Sequence, residues 1–271
     1  MKYTAVISDF DDTLLKDDHT VSRKTIETIK EFEKAGGFFG VCTGRMTKSA
    51  LDSARSLGLT GYVMGYQGGT LCDIQTGEVL IEERISNGDA IAVVKEIQKL
   101  KRNKFQIYNG DSFIANPDNK YAQMYAKAVG VDATITRENL LDYVEKKQIC
   151  PNKILVYIHP IQAKRLIRKF SKQFPTLHFV CSKKHFFEIT SQRATKGKMA
   201  KKISEMLGIP REKMVCVGDS LNDISMIEYA GLGACVANAR KEVKKIADHV
   251  TLSNNQDGVA QIMRDIIDGK L

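Results

Sequence analysis

The feature that most constrains this chain is an apolar strand that runs straight into acid. Tyr3 to Ile7 is apolar and β-branched enough to read as a buried parallel strand, and Asp9-Phe10-Asp11-Asp12-Thr13-Leu14 follows at once. Three carboxylates in four positions raise the free energy of a site through mutual repulsion, so a cation or a proton is needed to relieve them. In open α/β sheets ligands bind beyond the carboxyl ends of the strands, which is where these acids stand. Alternate residues of an extended segment point to opposite sides, so Asp9 and Asp11 share one side until the backbone turns. One carboxylate can then attack while its neighbour moves protons. Acids also favour turns by bonding their own backbone, so the purpose of the run is decided by what accompanies it.

A buried strand ending in polar chemistry recurs twice. Phe38 to Cys42 stops at Thr43-Gly44-Arg45, where a hydroxyl, a flexible backbone amide and a guanidinium precede a helix, a trio suited to phosphate. Met214 to Val217 stops at Gly218-Asp219-Ser220-Leu221-Asn222-Asp223. Strand ends of a parallel sheet open on one edge, so Asp219 and Asp223 are expected to face Asp9 and Asp11. Four converging carboxylates demand a divalent ion, and oxygen donors with no His or Cys cluster point to Mg²⁺ rather than zinc. Thr195-Lys196-Gly197 precedes a helix that runs to Leu207 and closes at Gly208 and Pro210. Lys196 is expected to supply a fixed positive charge for phosphate and partly offset the acids. Asp12 reads as a turn former, and Ser220 and Asn222 as candidate caps of the next helix.

Between these points Ser22 caps a helix over Thr25 to Ala35, ended by Gly36-Gly37. A helix over Ser49 to Leu57, a short strand over Gly61 to Met64 and a turn at Gln67-Gly68-Gly69 follow. Thr70 to Cys72 and Glu78 to Ile81 then form a hairpin across Thr76-Gly77. From Glu82 the character changes. Basic helices, near Asp89 to Leu100, Tyr121 to Val129 and Gln162 to Phe174, alternate with strands at Phe105 to Tyr108, Ser112 to Ala115, Lys153 to Ile158, His178 to Cys181 and Phe186 to Thr190. This is the mixture of an α+β domain with helices on one face of its sheet. Charge divides the chain in the same place: Glu82 to Phe187 holds 19 Lys and Arg against 10 Asp and Glu, while the flanks hold 22 of each sign. The expectation is a parallel-sheet α/β core in two pieces, 1–81 and 188–271, around an α+β insert at 82–187.

A basic domain invites comparison with nucleic-acid binders, but here the charge follows helix surfaces. Leu166, Ile167, Phe170 and Phe174 form an apolar stripe while Lys164, Arg165, Arg168, Lys169 and Lys172 fill the other positions, the pattern of a solvated face. The insert's field is expected to attract a small anionic substrate instead. The six cysteines stand singly, without the pairing of zinc or redox sites, and read as small core hydrophobes. The chain enters its first strand directly from Met-Lys-Tyr-Thr and holds no run of about eighteen apolar residues, so a soluble cytoplasmic protein without membrane or obligate protein partners is expected.

Asp9-Phe10-Asp11-Asp12-Thr13, Thr43-Gly44-Arg45, Lys196-Gly197 and Gly218-Asp219-Ser220-Leu221-Asn222-Asp223, in that order, resemble the four motifs of the haloacid dehalogenase (HAD) superfamily. The insert between the second and third motifs resembles its C2B cap. Glu188-Ile189-Thr190, Val236-Ala237-Asn238-Ala239, Ala247-Asp248-His249-Val250-Thr251 and Asp257-Gly258-Val259 are similar to the Cof-type sugar phosphatases. The resemblance implies a Rossmann-like core and a Mg²⁺-dependent phosphomonoesterase acting on small phosphorylated metabolites, sugar phosphates among them. It implies Asp9 as the nucleophile that takes up the phosphoryl group and Asp11 as the acid and base. Mg²⁺ would be held by Asp9, the Asp11 carbonyl, Asp219 and Asp223. Phosphoryl oxygens would be held by Thr43, Gly44 and Lys196, with Asn222 and Arg45 near phosphate or substrate.

Two stretches depart from the pattern and leave the substrate open. Gln67-Gly68-Gly69 stands where this branch usually shows Asn-Gly-Ala, and Ser191-Gln192-Arg193-Ala194 precedes the motif lysine. Rival readings are a phosphomutase, which returns the phosphoryl group to sugar, and a non-catalytic regulatory or binding protein on the same fold. The complete acid set disfavours the latter, since a protein without catalysis has no need of so costly a cluster.

Overall fold

The computed structural model describes residues 1–100, 103–129 and 131–271. The chain opens with β1 (Ala5–Asp9), every residue of which is buried, and turns through Phe10–Leu14 into α1 (Arg23–Lys34). Ser22 starts this helix as expected, its hydroxyl accepting the Thr25 amide at 3.0 Å. β2 (Phe38–Cys42), α2 (Thr47–Ser56) and β3 (Tyr62–Met64) follow, then the antiparallel pair β4 (Thr70–Asp73) and β5 (Val79–Glu82).

The insert runs through α3 (Asn87–Gln98), β6 (Phe105–Asn109), β7 (Ser112–Ala115), α4 (Lys120–Val129), β8 (Ala133–Ile135), α5 (Leu140–Lys146), β9 (Lys153–Tyr157), α6 (Ala163–Gln173), β10 (Leu177–Lys183) and β11 (Phe186–Ser191). The core resumes with α7 (Lys196–Leu207), β12 (Met214–Gly218), α8 (Ile224–Tyr229), β13 (Leu232–Cys235), α9 (Lys241–Lys244), β14 (His249–Val250) and α10 (Gly258–Ile267).

Two sheets result. The core sheet has the order β14-β13-β12-β1-β2-β3-β4-β5, parallel from β14 to β3. β1 lies between β2 and β12, and that adjacency brings the ends of the three motif-bearing strands side by side. One apolar layer, including Phe10, Phe32, Val41 and Met263, packs on one face of the sheet; another, with Ile7, Met64, Met199 and Ile203, packs on the other. The α/β class expected from the sequence is the class observed.

The insert's sheet has the order β10-β11-β9-β6-β7-β8. The expected end of the insert at 187 falls inside β11, whose pairing with β9 and β10 carries this sheet on to Ser191. Alternation sorts its residues: Ile154, Val156, Phe187 and Ile189 pack among the residues of α3, α5 and α6, whereas Leu155, Tyr108 and Phe113 join the opposite cluster. Helices were expected on one face only, yet Ala122, Tyr125 and Ala126 of α4 pack on this second face. The reason is the parallel pairing of β7 with β8, which requires a crossover, and α4 is that crossover. The basic side chains of α6 are exposed, as a solvated face requires. Among the described residues no helix is long and apolar enough to cross a membrane.

Candidate active site

Asp9 ends β1, and Asp219 and Asp223 occupy the loop after β12. Their carboxylates lie within 4.8 Å of one another, although more than two hundred positions separate the first from the others. Lys196, the first residue of α7, is 1% exposed and its Nζ donates to Asp9 Oδ1 and Asp223 Oδ1, each at 2.5 Å. Gly197 allows this reach: a Cβ there would stand 2.2 Å from the Ser225 carbonyl oxygen, so a side chain would push α7 off α8. Asp223 is fully buried, and its other oxygen accepts the amides of Asp219 (3.0 Å) and Ser220 (2.9 Å). It therefore ties the loop on itself as well as holding Lys196. The Thr13 hydroxyl donates to Asp219 Oδ1 at 3.1 Å.

These contacts are electrostatically demanding. Burial, and then the Asp223 charge, hold Asp9 well above the usual carboxylate range, with Lys196 pulling in the opposite direction. Burial and Asp223 likewise push Asp219 up to about 6. Burial alone would lower Lys196, but Asp223 and Asp9 outweigh it and raise its pKa, so the ammonium stays charged. One lysine against three acids leaves the cluster net negative. All the donors are oxygen, the chemistry that suits a hard divalent cation. Asp9 and Asp219 are the pair best placed to share it, since both Asp223 oxygens are already bonded, one to Lys196 and the other to two backbone amides.

The wall beside this floor is Thr43-Gly44-Arg45, after β2. Thr43 is buried, and its Oγ1 accepts the Arg45 amide at 3.1 Å, which leaves the hydroxyl hydrogen for a ligand. The Arg45 guanidinium grips Asp11 with two bonds, Nε to Oδ2 at 2.9 Å and Nη2 to Oδ1 at 2.5 Å. It also donates to Ser53 Oγ at 3.1 Å and lies 4.9 Å from the Phe10 ring centre. Burial lowers the Arg45 pKa, but the bonds to Asp11 more than offset it.

The expectation of four converging carboxylates is thus corrected to three: the turn after Asp9 aims Asp11 at Arg45. Asp12 takes a left-handed conformation (φ +59°) in that turn, as a turn former does. Neither Ser220 nor Asn222 caps α8. Asp223 stands at that position, and the Asn222 amide instead donates to Gln67 Oε1 at 2.9 Å.

The insert covers the site with residues that sequence reasoning did not single out as functional. A cavity of about 980 Å³ is lined from the core by Asp9, Asp11, Thr43, Arg45, Asp219 and Asn222, and from the insert by Tyr108, Tyr125, Lys153, Leu155, Phe186 and Glu188. Lys153 (3% exposed) donates to the Gly44 carbonyl oxygen at 2.7 Å and to Glu188 Oε1 at 3.3 Å, with its Nζ 4.7 Å from the Tyr108 ring centre. Gln67 Nε2 donates to Glu188 Oε2 at 2.7 Å. The available signal was period two: Lys153 and Leu155 share one face of β9, and Phe186 and Glu188 one face of β11, so a charge on that face of an apolar strand was aimed at something.

With this geometry in view, comparison with known proteins is specific. The profile of the haloacid dehalogenase-like hydrolases matches residues 6–263, and the chain belongs to that family. Phosphatase YwpJ of Bacillus subtilis is 28% identical over 293 residues, covering 98% of this chain and all of its own. A second B. subtilis relative, 5-amino-6-(5-phospho-D-ribitylamino)uracil phosphatase YwtE, is 27% identical over 297 residues, covering 100% and 99%. A haloacid dehalogenase-like hydrolase structure from B. subtilis superposes with a TM-score of 0.83 at 26% identity, covering 96% and 99% of the two chains. Within the family this chain stands among the phosphatases, hydrolases of phosphoric monoesters.

Proposed function

We propose that the protein hydrolyses small phosphomonoesters in a Mg²⁺-dependent reaction through a phosphoryl group carried on Asp9. The observation that carries this reading is the meeting of Asp9, Asp219, Asp223 and Lys196 at one sheet edge, beside the Thr43 hydroxyl and the Arg45–Asp11 pair. Asp9 and Asp219 would hold Mg²⁺, with Asp223 bracing the loop. The ion, when bound, neutralises phosphoryl charge and keeps the buried carboxylates ionised, the main demands of phosphoryl transfer.

Asp9 attacks phosphorus and the ester oxygen leaves. Lys196 and the Thr43 hydroxyl hold the anionic oxygens. Asp11 delivers a proton to the leaving oxygen and later takes one from the attacking water, regenerating Asp9 and releasing phosphate. A carboxylate that accepts two guanidinium bonds has no proton to give, so the Arg45 clamp opens in the first half-reaction and closes on Asp11 once it is ionised. The leaving group faces Tyr108, Tyr125 and Phe186. A cavity of about 980 Å³ suits a sugar phosphate, or a ribityl phosphate bearing a heterocycle of the kind named for YwtE, since aromatic walls stack on rings.

The test is release of inorganic phosphate from p-nitrophenyl phosphate and a panel of phosphorylated metabolites, which also separates hydrolysis from a mutase. Asp9→Asn is expected to abolish release with the fold intact, and EDTA to stop turnover until Mg²⁺ is restored. Retained release in Asp9→Asn would refute the nucleophile.

A further inference from the structure

The loop that meets the phosphoryl group is held from outside its own domain. Gly44 is sandwiched between two side chains. On one side a Cβ at this position would lie 2.4 Å from Gln67 Nε2; on the other, the Gly44 carbonyl takes its bond from Lys153 of the insert. The Gly44 carbonyl and the Arg45 amide belong to one planar peptide unit, so the lysine that fixes the first also fixes the second. That amide donates to Thr43 Oγ1, which settles where the threonine hydroxyl hydrogen can point. Glu188 completes the arrangement by bonding both Lys153 and Gln67, while Gln67 in turn holds Asn222 of the acid loop. Lys153 and Glu188 are 3% and 4% exposed and sit on neighbouring strands of the insert. Three core loops, at 43–45, 66–69 and 219–223, thus converge on one buried ion pair that the core does not contain.

We propose that Lys153 is a positioning residue for phosphoryl transfer: through the Gly44–Arg45 peptide it orients the Thr43 hydroxyl and seats Arg45, with Glu188 as its counter-charge. The inference rests on the phosphatase reading and deepens it, because it makes the catalytic edge complete only when the insert is seated. Removing Lys153 alone would break a buried ion pair, and removing one partner of such a pair is strongly destabilising. The decisive variant is therefore the neutral pair K153M/E188Q, compared with K153R and the wild type.

With p-nitrophenyl phosphate and Mg²⁺, K153M/E188Q is expected to lower kcat by roughly a hundredfold, the scale of a misplaced reacting group, with KM nearly unchanged. K153R, which keeps charge and donor, is expected to recover most of the rate. A readout independent of turnover is the exchange of the Arg45 amide by NMR, which should accelerate in K153M/E188Q and return toward wild type in K153R. Wild-type kcat in a folded K153M/E188Q, a rise in KM alone, or an unchanged Arg45 amide would each overturn the proposal. A wild-type protein that releases no phosphate from any ester would count against the phosphatase reading, while the amide measurement would still decide the role of Lys153.

Discussion

At the carboxyl edge of the core sheet, chemistry comes from runs of neighbours: Asp9 to Thr13, Thr43 to Arg45 and Asp219 to Asp223 each deliver several groups from one loop. In the insert it comes from single residues of strands whose other face serves a hydrophobic core. Lys153 and Glu188 point at the cavity while Ile154, Val156, Phe187 and Ile189 point at the helices behind them. A loop beyond a strand end can gather polar groups at successive positions, but a strand in a two-faced sheet offers only every second residue. The core half of the site therefore concentrates charge, and the insert half spreads one ion pair among aromatic rings.

The comparison is broken hardest at Lys196, where the core's charge is most concentrated. Its ammonium is the only cation bonded to the three-acid cluster among the described residues. Lys196→Met should destabilise the protein by about 3–5 kcal/mol, the cost of stranding buried charge, as read by urea unfolding. It should also reduce kcat by roughly a thousandfold through lost charge stabilisation. Mg²⁺ should stabilise this variant more than the wild type, because the cluster then lacks its resident cation. Equal Mg²⁺ stabilisation of both proteins would mean that the acids do not share an ion in the way their spacing implies.

Smaller effects are expected on the insert side. Tyr125 is half-buried, lines the cavity and keeps its phenol protonated, since burial pushes its pKa up to about 12. Tyr125→Phe removes a hydroxyl that lines the cavity; a neutral hydrogen bond from it to the metabolite would be of about 0.5–1.5 kcal/mol, so KM for the best metabolite should rise by roughly two- to tenfold. Hydrolysis of p-nitrophenyl phosphate should not change. A fall in kcat for both substrates would move Tyr125 from the leaving-group side to the reacting atoms.

The same contrast explains what was legible before the structure was known. Asp9, Thr43, Lys196 and Asp219 could be read because each follows or opens a regular element and stands in a short run of fixed spacing, and parallel pairing of β1 with β2 and β12 does the rest. The destination of Asp11 could not be read that way. Alternation put it beside Asp9, but the left-handed turn at Asp12 and the fork geometry of Arg45 carried it away. Lys153 was hidden by company, being one of 19 basic residues in a segment many of whose other lysines lie on helices. Gln67 was visible as a turn residue and as a departure from the family pattern, but not as a bridge, because its partners Glu188 and Asn222 are more than a hundred positions distant. α4 was placed as a helix but on the wrong face, since the three-residue strand β8 that makes it a crossover is too short to give a periodic signal.

The smallest effect separates the two regions by pH. In the metal-free protein burial and Asp223 raise Asp219 to about 6, from an unfolded value of 3.8. Between those values the folded state binds more protons than the unfolded chain, so stability falls as pH rises through the window. The favourable contribution is complete below the unfolded value and lost above the folded one. Asp219 is partly open to solvent, and after that discount the change is on the order of 1 kcal/mol. Chelator-treated protein should therefore unfold at higher urea at pH 5 than at pH 7. Asp219→Asn should lessen that slope, with Asp9, whose carboxyl is held up by the same causes, carrying the remainder, and saturating Mg²⁺ should flatten it. Breaking the insert's ion pair with K153M/E188Q should leave it in place, because Lys153 contacts the Gly44 carbonyl and not the acids. A slope unchanged in Asp219→Asn would take Asp219 out of the titration that links the acid cluster to metal-free stability.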